Sequence, residues 1–233
     1  MKDTLIFTAT YNEIKNIKKL LKQINLYSNR SDILIIDDNS PDGTGKIIEK
    51  FRKNNKNIKF KLRKYKQGLD SAHKYAYEYA KKNKYKKLIT MDADLSHDPK
   101  LIKKIIKLLD NNSFVIGSRY IKGGANKIGL FRFLLSYFGN KFIKFILNIN
   151  LSEFTTSYRG FNIPKLKGFH LNKINSKGYS FFMETVYQIY KKKFKIKEIP
   201  IIFISRIHGK SKIPKIETLR TLTNVFRLKF LQN

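Results

Sequence analysis

The sequence predicts an α/β protein with a mostly parallel sheet flanked by helices, and two observations support this class. In the first 120 residues, short apolar runs of strand length alternate with segments whose apolar residues recur at helical spacing. Polar clusters come directly after these runs. Strands interleaved with helices of this length pair in parallel through right-handed crossovers. The predicted strands are Thr4–Ala9, Ile33–Ile36, Ile58–Leu62, Leu88–Met91 and Phe114–Gly117.

A helix is predicted after each of the first four strands, because apolar residues there repeat every three or four positions. Such a stripe lets a helix pack one face on the sheet. The predicted apolar positions are Ile14, Ile17, Leu20, Leu21 and Ile24, then Ile47, Ile48 and Phe51, then the segment Ser71–Ala80, then Leu101, Ile102, Ile105, Ile106 and Leu109.

Composition limits the class of protein further. A chain of 233 residues with 42% hydrophobic residues suits one domain with a sizeable core. The absence of cysteine excludes disulfides, thiolate metal sites and cysteine nucleophiles. No apolar run reaches the roughly 18 residues of a membrane-spanning helix. We expect no signal peptide, because the N-terminal residues read directly into a strand and contain no apolar segment of signal-peptide length. We therefore expect a cytoplasmic protein without transmembrane helices.

The net charge of +32 favours anionic partners, such as phosphorylated substrates or phospholipid surfaces. It is equally typical of lysines spread over solvated faces. Nucleic acid is not expected as a partner, because no nucleic-acid-binding motif accompanies the charge.

Four polar clusters follow the predicted strands at the points where the strands end. Because the carboxyl ends of parallel strands meet at one edge, where open α/β sheets bind ligands, these clusters predict a site. They are Thr10-Tyr11-Asn12-Glu13, the acidic stretch 37–44, Asp92-Ala93-Asp94 and Ser118-Arg119-Tyr120.

Asp92 and Asp94 are separated by one residue and come at the end of a predicted buried strand. Two such carboxylates can hold a hard divalent cation, and that cation can hold a diphosphate. The alternative is a strand-to-helix turn in which an Asp only caps the helix. Similarly, Asp37 could be a structural turn residue, and Thr10-x-x-Glu13 also reads as a helix capping box.

The chain beyond residue 120 contains a predicted amphipathic helix over 131–149. One face carries the apolar residues and the other carries Arg132, Ser136, Asn140, Lys144 and Asn148. This pattern suits either packing on the sheet or a helix lying in a membrane interface. The apolar residues are Phe131, Leu134, Leu135, Phe138, Phe142, Phe145, Ile146 and Ile149.

The C-terminal part is predicted to contain a final strand, Ile199–Ser205, and a basic helical segment over Pro214–Phe230. We expect one domain over residues 1–212, which includes the 131–149 helix, and a basic C-terminal helical segment over 213–233.

Five motifs in order give the chain a resemblance to a known family. They are TYNE at 10–13, DDNSPDGT at 37–44, DADLSHDP at 92–99, GSRY at 117–120 with Gly123-Gly124, and RIHGKSK at 206–212. The chain resembles the GT-A-fold inverting glycosyltransferases, within them the dolichyl-phosphate mannose synthase group. The resemblance implies transfer of a hexose, mannose or glucose, from a GDP- or UDP-sugar to a polyprenyl (dolichyl or undecaprenyl) phosphate with Mg²⁺ or Mn²⁺. Many bacterial and archaeal members of the group have transmembrane helices, which this sequence lacks. We therefore expect peripheral association with the membrane surface through the 131–149 helix, the basic C-terminal segment or a separate membrane-anchoring subunit.

The resemblance also implies roles for individual residues. The donor nucleotide-sugar would be bound by Thr10, Tyr11, Glu13, Ile36, Asp38, Asp92, Ala93, Arg206 and Lys212. The metal would be bound by Asp92, Asp94 and Ser96, and the acceptor phosphate by Arg119, Arg132 and Ser136. The catalytic group would comprise Asp94, Arg119, Arg132 and Glu153.

The chemistry of these residue types agrees with that assignment. Tyr11 can stack on a base, and an Arg fork meets phosphate oxygens two at a time. A phosphate acceptor is already anionic, so it needs no general base, and direct displacement would invert the anomeric carbon. An alternative is a hydroxyl acceptor in surface polysaccharide or glycolipid synthesis. That reaction needs a base, for which Glu153, at a position often Asp in the group, is the first candidate.

Overall fold

The computed structural model of the protein describes residues 2–205 and 216–230, with the side chains of 216–219 excepted. The main sheet has seven strands in the order β3-β2-β1-β4-β7-β5-β8, and a small sheet pairs β6 with β9. The strands are β1 Thr4–Thr10, β2 Asp32–Asp37, β3 Ile58–Leu62, β4 Lys87–Thr90, β5 Phe114–Ser118, β6 Ala125–Lys127, β7 Arg159–Asn162, β8 Ile196–Pro200 and β9 Ile202–Ile204.

The main sheet is parallel except for β7, so the predicted fold class is confirmed. β1 lies at its centre and pairs in parallel with both β2 and β4. β7 runs antiparallel between β4 and β5. The sequence did not predict β7, because Arg159-Gly160-Phe161-Asn162 is not an apolar run. Gly160 is needed there, since a Cβ would lie 2.5 Å from a methyl group of Ile105 on the covering helix.

Helices cover both faces of the sheet and bury the stripes that the sequence predicted. In α1, for example, Ile17, Leu20, Leu21 and Ile24 are fully buried against the sheet. The helices of the described chain are α1 Ile14–Tyr27, α2 Thr44–Asn54, α3 Leu69–Lys82, α4 Ile102–Leu109, α5 Leu130–Leu147, α6 Gly178–Lys191 and α7 Ile216–Phe230. None of them combines the length and the apolar character needed to cross a bilayer.

The predicted final strand, Ile199–Ser205, is wrong in its bounds. The chain instead forms two strands in two sheets, β8 beside β5 and β9 beside β6. Pro200 ends β8, since it has no N–H to continue the ladder. Ile201 then links the two sheets, because its N–H donates to the Ser118 carbonyl and its carbonyl accepts the Ala125 N–H.

Helix α5 turns most of its apolar stripe toward solvent. Phe131, Phe138 and Phe145 are 79%, 62% and 80% exposed. On the opposite face Asn140 is buried, and its side chain accepts the Phe154 N–H at 2.9 Å. The stripe predicted over 131–149 is therefore split, because Phe142, Ile146 and Ile149 pack against the protein core. The predicted end of the helix is wrong by two residues, since α5 ends at Leu147 and Asn148 adopts a left-handed conformation.

Helix α7 packs beside α5 and α6 and extends the same surface. Val225 and Leu228 are buried, and Phe226 contacts Phe142 with ring centroids 6.0 Å apart. Phe226 and Phe230 remain 44% and 68% exposed. The predicted boundary at 212/213 falls outside the described residues and stays a prediction.

Candidate active site

The polar clusters lie together at the carboxyl edge of the sheet. β1, β2 and β4 are parallel neighbours, and Thr10 at the end of β1 is in register with Asp37 at the end of β2. β5 runs in the same direction as β4, because each pairs antiparallel with β7. The sequence-predicted residues Thr10, Asp38, Asp92 and Arg119 thus lie at or just after strand ends on a single edge.

Asp37 organises the turn after β2. Its Oδ2 accepts the hydroxyl of Thr10 at 2.7 Å and that of Ser40 at 2.6 Å, while Oδ1 accepts the Ser40 N–H at 2.8 Å. Asp37 is fully buried. Of the two roles open from the sequence, the structure therefore gives it the structural one, and Thr10 takes part in the same turn.

Asp38 is held from the loop that follows β3. Its Oδ1 pairs with Arg63 at 3.1 Å, and Oδ2 accepts the backbone N–H groups of Gln67 and Gly68 at 3.2 and 3.3 Å. The ammonium of Lys66, in the same loop, lies 4.7 Å from the centre of the half-exposed Tyr11 ring. The sequence analysis did not predict this loop as part of the site, because its lysines and arginine resemble the many basic residues elsewhere in the chain.

Glu13 is the residue before α1 and makes no side-chain cap. Its Oε2 accepts the Asn16 side-chain amide at 2.7 Å, and its N–H donates to Thr44 Oγ1 at 2.9 Å. The capping-box interpretation of Thr10-x-x-Glu13 is wrong, because α1 begins at Ile14 and the Thr10 hydroxyl bonds to β2. Ile36 and Ala93 are buried, so they can offer only backbone groups at this edge.

Asp92 and Asp94 lie in the loop after β4. Ser96 donates its N–H and its hydroxyl to Asp94 Oδ1, at 3.1 and 2.6 Å. Ser96 is 1% exposed, and these two bonds orient the Asp94 carboxylate. The role of Ser96 as a metal ligand stays a prediction. The loop is held by Leu95 in the left-handed region, with φ of 64°. The two carboxylates are hard oxygen donors, which suits Mg²⁺ or Mn²⁺.

The Asp92 side chain is one-third exposed and is held from two directions. Ser157 donates its hydroxyl to Asp92 Oδ1 at 2.6 Å, and the Asp92 N–H donates to His97 Nδ1 at 3.1 Å. Burial lowers the pKa of His97, which keeps the ring neutral and able to accept that bond. Among the residues that the structure describes, no three His, Cys, Asp or Glu side chains form a metal cluster.

Arg119 is paired with the fully buried Glu153. Its Nε and one terminal nitrogen donate to the two carboxylate oxygens at 2.6 and 2.8 Å, and that nitrogen also reaches Thr155 Oγ1 at 2.9 Å. Burial opposes the charge of each partner, yet mutual attraction prevails. It raises the pKa of Arg119 and lowers that of Glu153. This geometry makes Glu153 an orienting group for Arg119, and its low pKa and occupied oxygens make it a poor general base.

Ser136 joins this group through Tyr120. The Arg119 guanidinium stacks on the Tyr120 ring at 5.1 Å, and the Tyr120 hydroxyl bonds to the Ser136 hydroxyl at 2.6 Å. Arg132, one helical turn before Ser136 on α5, is exposed. The structure therefore brings Arg119 and Ser136 together, with Arg132 on the solvent side. Arg206 and Lys212, with the RIHGKSK motif, lie outside the described residues.

Residues 152–158, here named the bridging loop, contact both parts of the edge. Glu153 lies at one end beside Arg119, and Ser157 lies at the other beside Asp92. Arg159, the first residue of β7, supports the loop from the protein interior. It donates to the carbonyls of Phe154 and Thr156 at 2.9 and 2.7 Å. Its buried guanidinium lies 4.8 Å from the Phe182 ring centre, and burial lowers its pKa to about 9.

Comparison with known proteins agrees with this architecture. The family model "Glycosyl transferase family 2" matches residues 5–168. An undecaprenyl-phosphate mannosyltransferase of Micrococcus luteus is 31% identical over 210 residues, covering 90% of this chain and 86% of the relative. A polyprenol monophosphomannose synthase of Mycolicibacterium smegmatis is 30% identical over 213 residues, covering 90% of this chain and 80% of the relative.

Solved structures share the fold at low identity. A mannosyltransferase from Pyrobaculum calidifontis, in complex with GDP-Man and Mn²⁺, superposes with a TM-score of 0.64 at 15% identity. That match covers 99% of this chain and 64% of the other, so the chain spans slightly less than two thirds of that protein. Glucosyl-3-phosphoglycerate synthase from Mycobacterium tuberculosis, in complex with Mn²⁺ and UDP, gives a TM-score of 0.69 at 11% identity, over 98% and 80% of the two chains.

The fold and the polar edge define a GT-A-type glycosyltransferase. The chain belongs to glycosyl transferase family 2.

Proposed function

We propose that this protein transfers a hexose, with mannose as the first candidate, from a nucleotide-sugar to a polyprenyl phosphate. The two relatives that cover 90% of the chain carry the names of polyprenyl-phosphate mannose transferases. In the reaction a phosphate oxygen of the acceptor attacks the anomeric carbon, and the bond from that carbon to the diphosphate oxygen breaks. The nucleoside diphosphate leaves, and the configuration inverts.

The Arg119–Glu153 pair is the observation that carries this choice of acceptor. An attacking hydroxyl needs a base, and Glu153 is the acid that the sequence offered for that role. Both of its oxygens are engaged by Arg119, at 2.6 and 2.8 Å, and its pKa is lowered. A phosphate needs no base and gains from an oriented guanidinium. The geometry therefore favours the phosphate acceptor.

The donor would bind at the end of the edge formed by β1, β2 and β4. Tyr11, Glu13 and Asp38 would recognise the nucleoside, and Lys66 would add positive charge beside it. Asp92 and Asp94 would hold Mg²⁺ or Mn²⁺, with Ser96 orienting Asp94. A bound divalent cation supplies charge stabilisation for the leaving diphosphate. Crystals of two neighbours contain Mn²⁺, which makes Mn²⁺ the first ion to test.

The acceptor would reach the site along α5. The inner face of this helix places Ser136 against Tyr120 beside Arg119, while Phe131 and Phe138 on the outer face are exposed. Basic residues flank that face, among them Arg132, Lys141 and Arg220. An apolar stripe with cations beside it suits a bilayer surface that contains anionic lipid. We propose that the enzyme binds the membrane peripherally through this face.

Radiolabel transfer into a lipid-extractable product tests the proposal. Undecaprenyl and dolichyl phosphates serve as acceptors for a panel of GDP- and UDP-sugars, with Mn²⁺ present or chelated. We expect label in the lipid phase that depends on metal and falls at least about 100-fold in Asp94→Ala, the scale at which loss of transition-state charge stabilisation acts. Asp110→Ala, which removes an exposed carboxylate beside Lys87 at the start of β4, is the matched control. Label passed to a hydroxyl acceptor or to water, and none to lipid, would contradict the phosphate acceptor.

A further inference from the structure

We infer that Ser157 is a positioning residue that fixes the Asp92 carboxylate for metal binding. The inference rests on the proposed function, since it assigns Asp92 to the metal. The hydroxyl of Ser157 donates to Asp92 Oδ1 at 2.6 Å, a short bond typical of a hydroxyl and an ionised carboxylate. Ser157 follows Asp92 by 65 positions along the chain, and no strand-end pattern marks it.

Ser157 can fix Asp92 because its own backbone is anchored. Its carbonyl accepts the hydroxyl of the buried Thr90, the last residue of β4. The neighbouring Thr156 carbonyl accepts the Arg159 Nε–H at 2.7 Å, and Arg159 is 1% exposed. The hydroxyl of Ser157 is thus presented from a rigid part of the fold, whereas the Asp92 side chain is one-third exposed.

An exposed carboxylate without such a partner samples several rotamers, and metal binding must then select one of them. The serine bond selects one orientation in advance and holds Oδ1 toward the bridging loop. Residues that orient metal ligands through hydrogen bonds commonly contribute about 10- to 100-fold to metal affinity. Ser96 orients Asp94 in the same way, since its hydroxyl donates to Asp94 Oδ1 at 2.6 Å. The two carboxylates are therefore each oriented by a serine.

Mn²⁺ affinity in the presence of GDP or UDP tests the inference, with free Mn²⁺ measured by electron paramagnetic resonance. In Ser157→Ala we expect the Mn²⁺ dissociation constant to rise about 10-fold. Ser157→Thr keeps the hydroxyl and is expected to return affinity toward the wild-type value. Thr155→Val, which removes a hydroxyl from the same loop at the Arg119 end, is expected to leave Mn²⁺ affinity unchanged.

A melting temperature without metal shows whether each variant is folded. If Ser157→Ala is too unstable to assay, Ser157→Cys, whose thiol is a weak donor of similar size, must show the loss of affinity. Unchanged affinity in a folded Ser157→Ala or Ser157→Cys overturns the inference and leaves the proposed function intact. If the wild type itself binds no Mn²⁺ with either nucleotide, the proposed metal site fails first and the inference fails with it.

Discussion

At the scale of single residues, the buried pair of Arg119 and Glu153 stabilises the end of the site where we propose that the acceptor binds. Removal of either partner is expected to destabilise the fold, because a lone buried charge keeps its desolvation cost without the attraction that offsets it. The pair therefore constrains both stability and activity. Substitution at either position is expected to affect the two properties in different ways.

We expect Glu153→Gln to lower the free energy of unfolding by about 3 kcal/mol, since it leaves Arg119 buried without a counter-ion. Transfer to polyprenyl phosphate should fall through a higher KM for the acceptor, while the KM for the donor stays near the wild-type value. Urea unfolding and steady-state kinetics measure the two effects.

The double variant Arg119→Met with Glu153→Gln is the control for this pair. Removal of both charges should recover part of the lost stability and none of the lost transfer. Transfer that survives in the double variant would show that Arg119 does not bind the acceptor. Stability that falls further would contradict the cost assigned to the unpaired buried charge.

His73 on α3 gives the protein a dependence of stability on pH. The ring is buried among Phe7, Phe181 and Phe182, with centroids 5.0 to 5.9 Å away. Burial lowers its pKa from 6.5 to about 3. Its folded pKa is depressed, so the unfolded chain binds the extra proton first. Stability is full above pH 6.5 and falls as the pH drops toward 3.

Between pH 7 and pH 5 this one group should cost the folded state about 2 kcal/mol. His73→Phe removes the titration, so its melting temperature should fall less steeply over that interval than that of the wild type. Thermal melts at both pH values measure the slopes. Equal slopes in the two proteins would mean that His73 is protonated in the folded state as readily as in the unfolded chain.

At the scale of elements, α5 faces in two directions. Its inner face carries Ser136 and the buried Asn140, which accepts the N–H of Phe154 in the bridging loop. Its outer face leaves Phe131 and Leu135 79% and 50% exposed. Transfer of this outer face from water into lipid would be favourable, because it removes apolar surface from water.

We expect Phe131→Ser with Leu135→Ser to weaken binding to vesicles that contain anionic lipid, by roughly 1.5–3 kcal/mol for each apolar side chain no longer buried. Vesicle co-sedimentation measures this. Leu26→Ser is the matched control, because Leu26 is 70% exposed on α1, at a distance from α5 along the chain and in the fold. Equal loss of binding in the control and in the α5 variant would refute the assignment of this face to the membrane.

At the scale of the whole molecule, the sequence predicts the sheet well because a parallel strand is a local apolar run. Leu5–Phe7 and Ile33–Ile36 are fully buried on both faces and are recognised without knowledge of their neighbours. Helix α6 was missed because Phe181, Phe182, Met183 and Val186 bury it nearly all round, so it shows no polar face. β7 was missed because its strand is short and contains Arg159 and Gly160.

The site was predictable only where its residues follow strand ends. The acidic pair and Arg119 carry that signal, and the structure places them on one edge. Their partners do not carry it, because Ser157 and Glu153 reach Asp92 and Arg119 from 65 and 34 positions away. Such contacts depend on how the bridging loop lies along the edge from which the antiparallel β7 starts, which local patterns cannot encode. The roles of Arg206 and Lys212 stay predictions.

The orientation of α5 also determines whether the enzyme would meet its acceptor in solution or within the plane of the membrane. If Phe131 and Phe138 enter the bilayer as proposed, the acceptor would reach Arg119 by lateral diffusion in a plane. The quantity that sets the rate is then the number of acceptor molecules per unit of membrane area. Addition of inert lipid would slow the reaction even when the amounts of enzyme and acceptor in the tube stay the same.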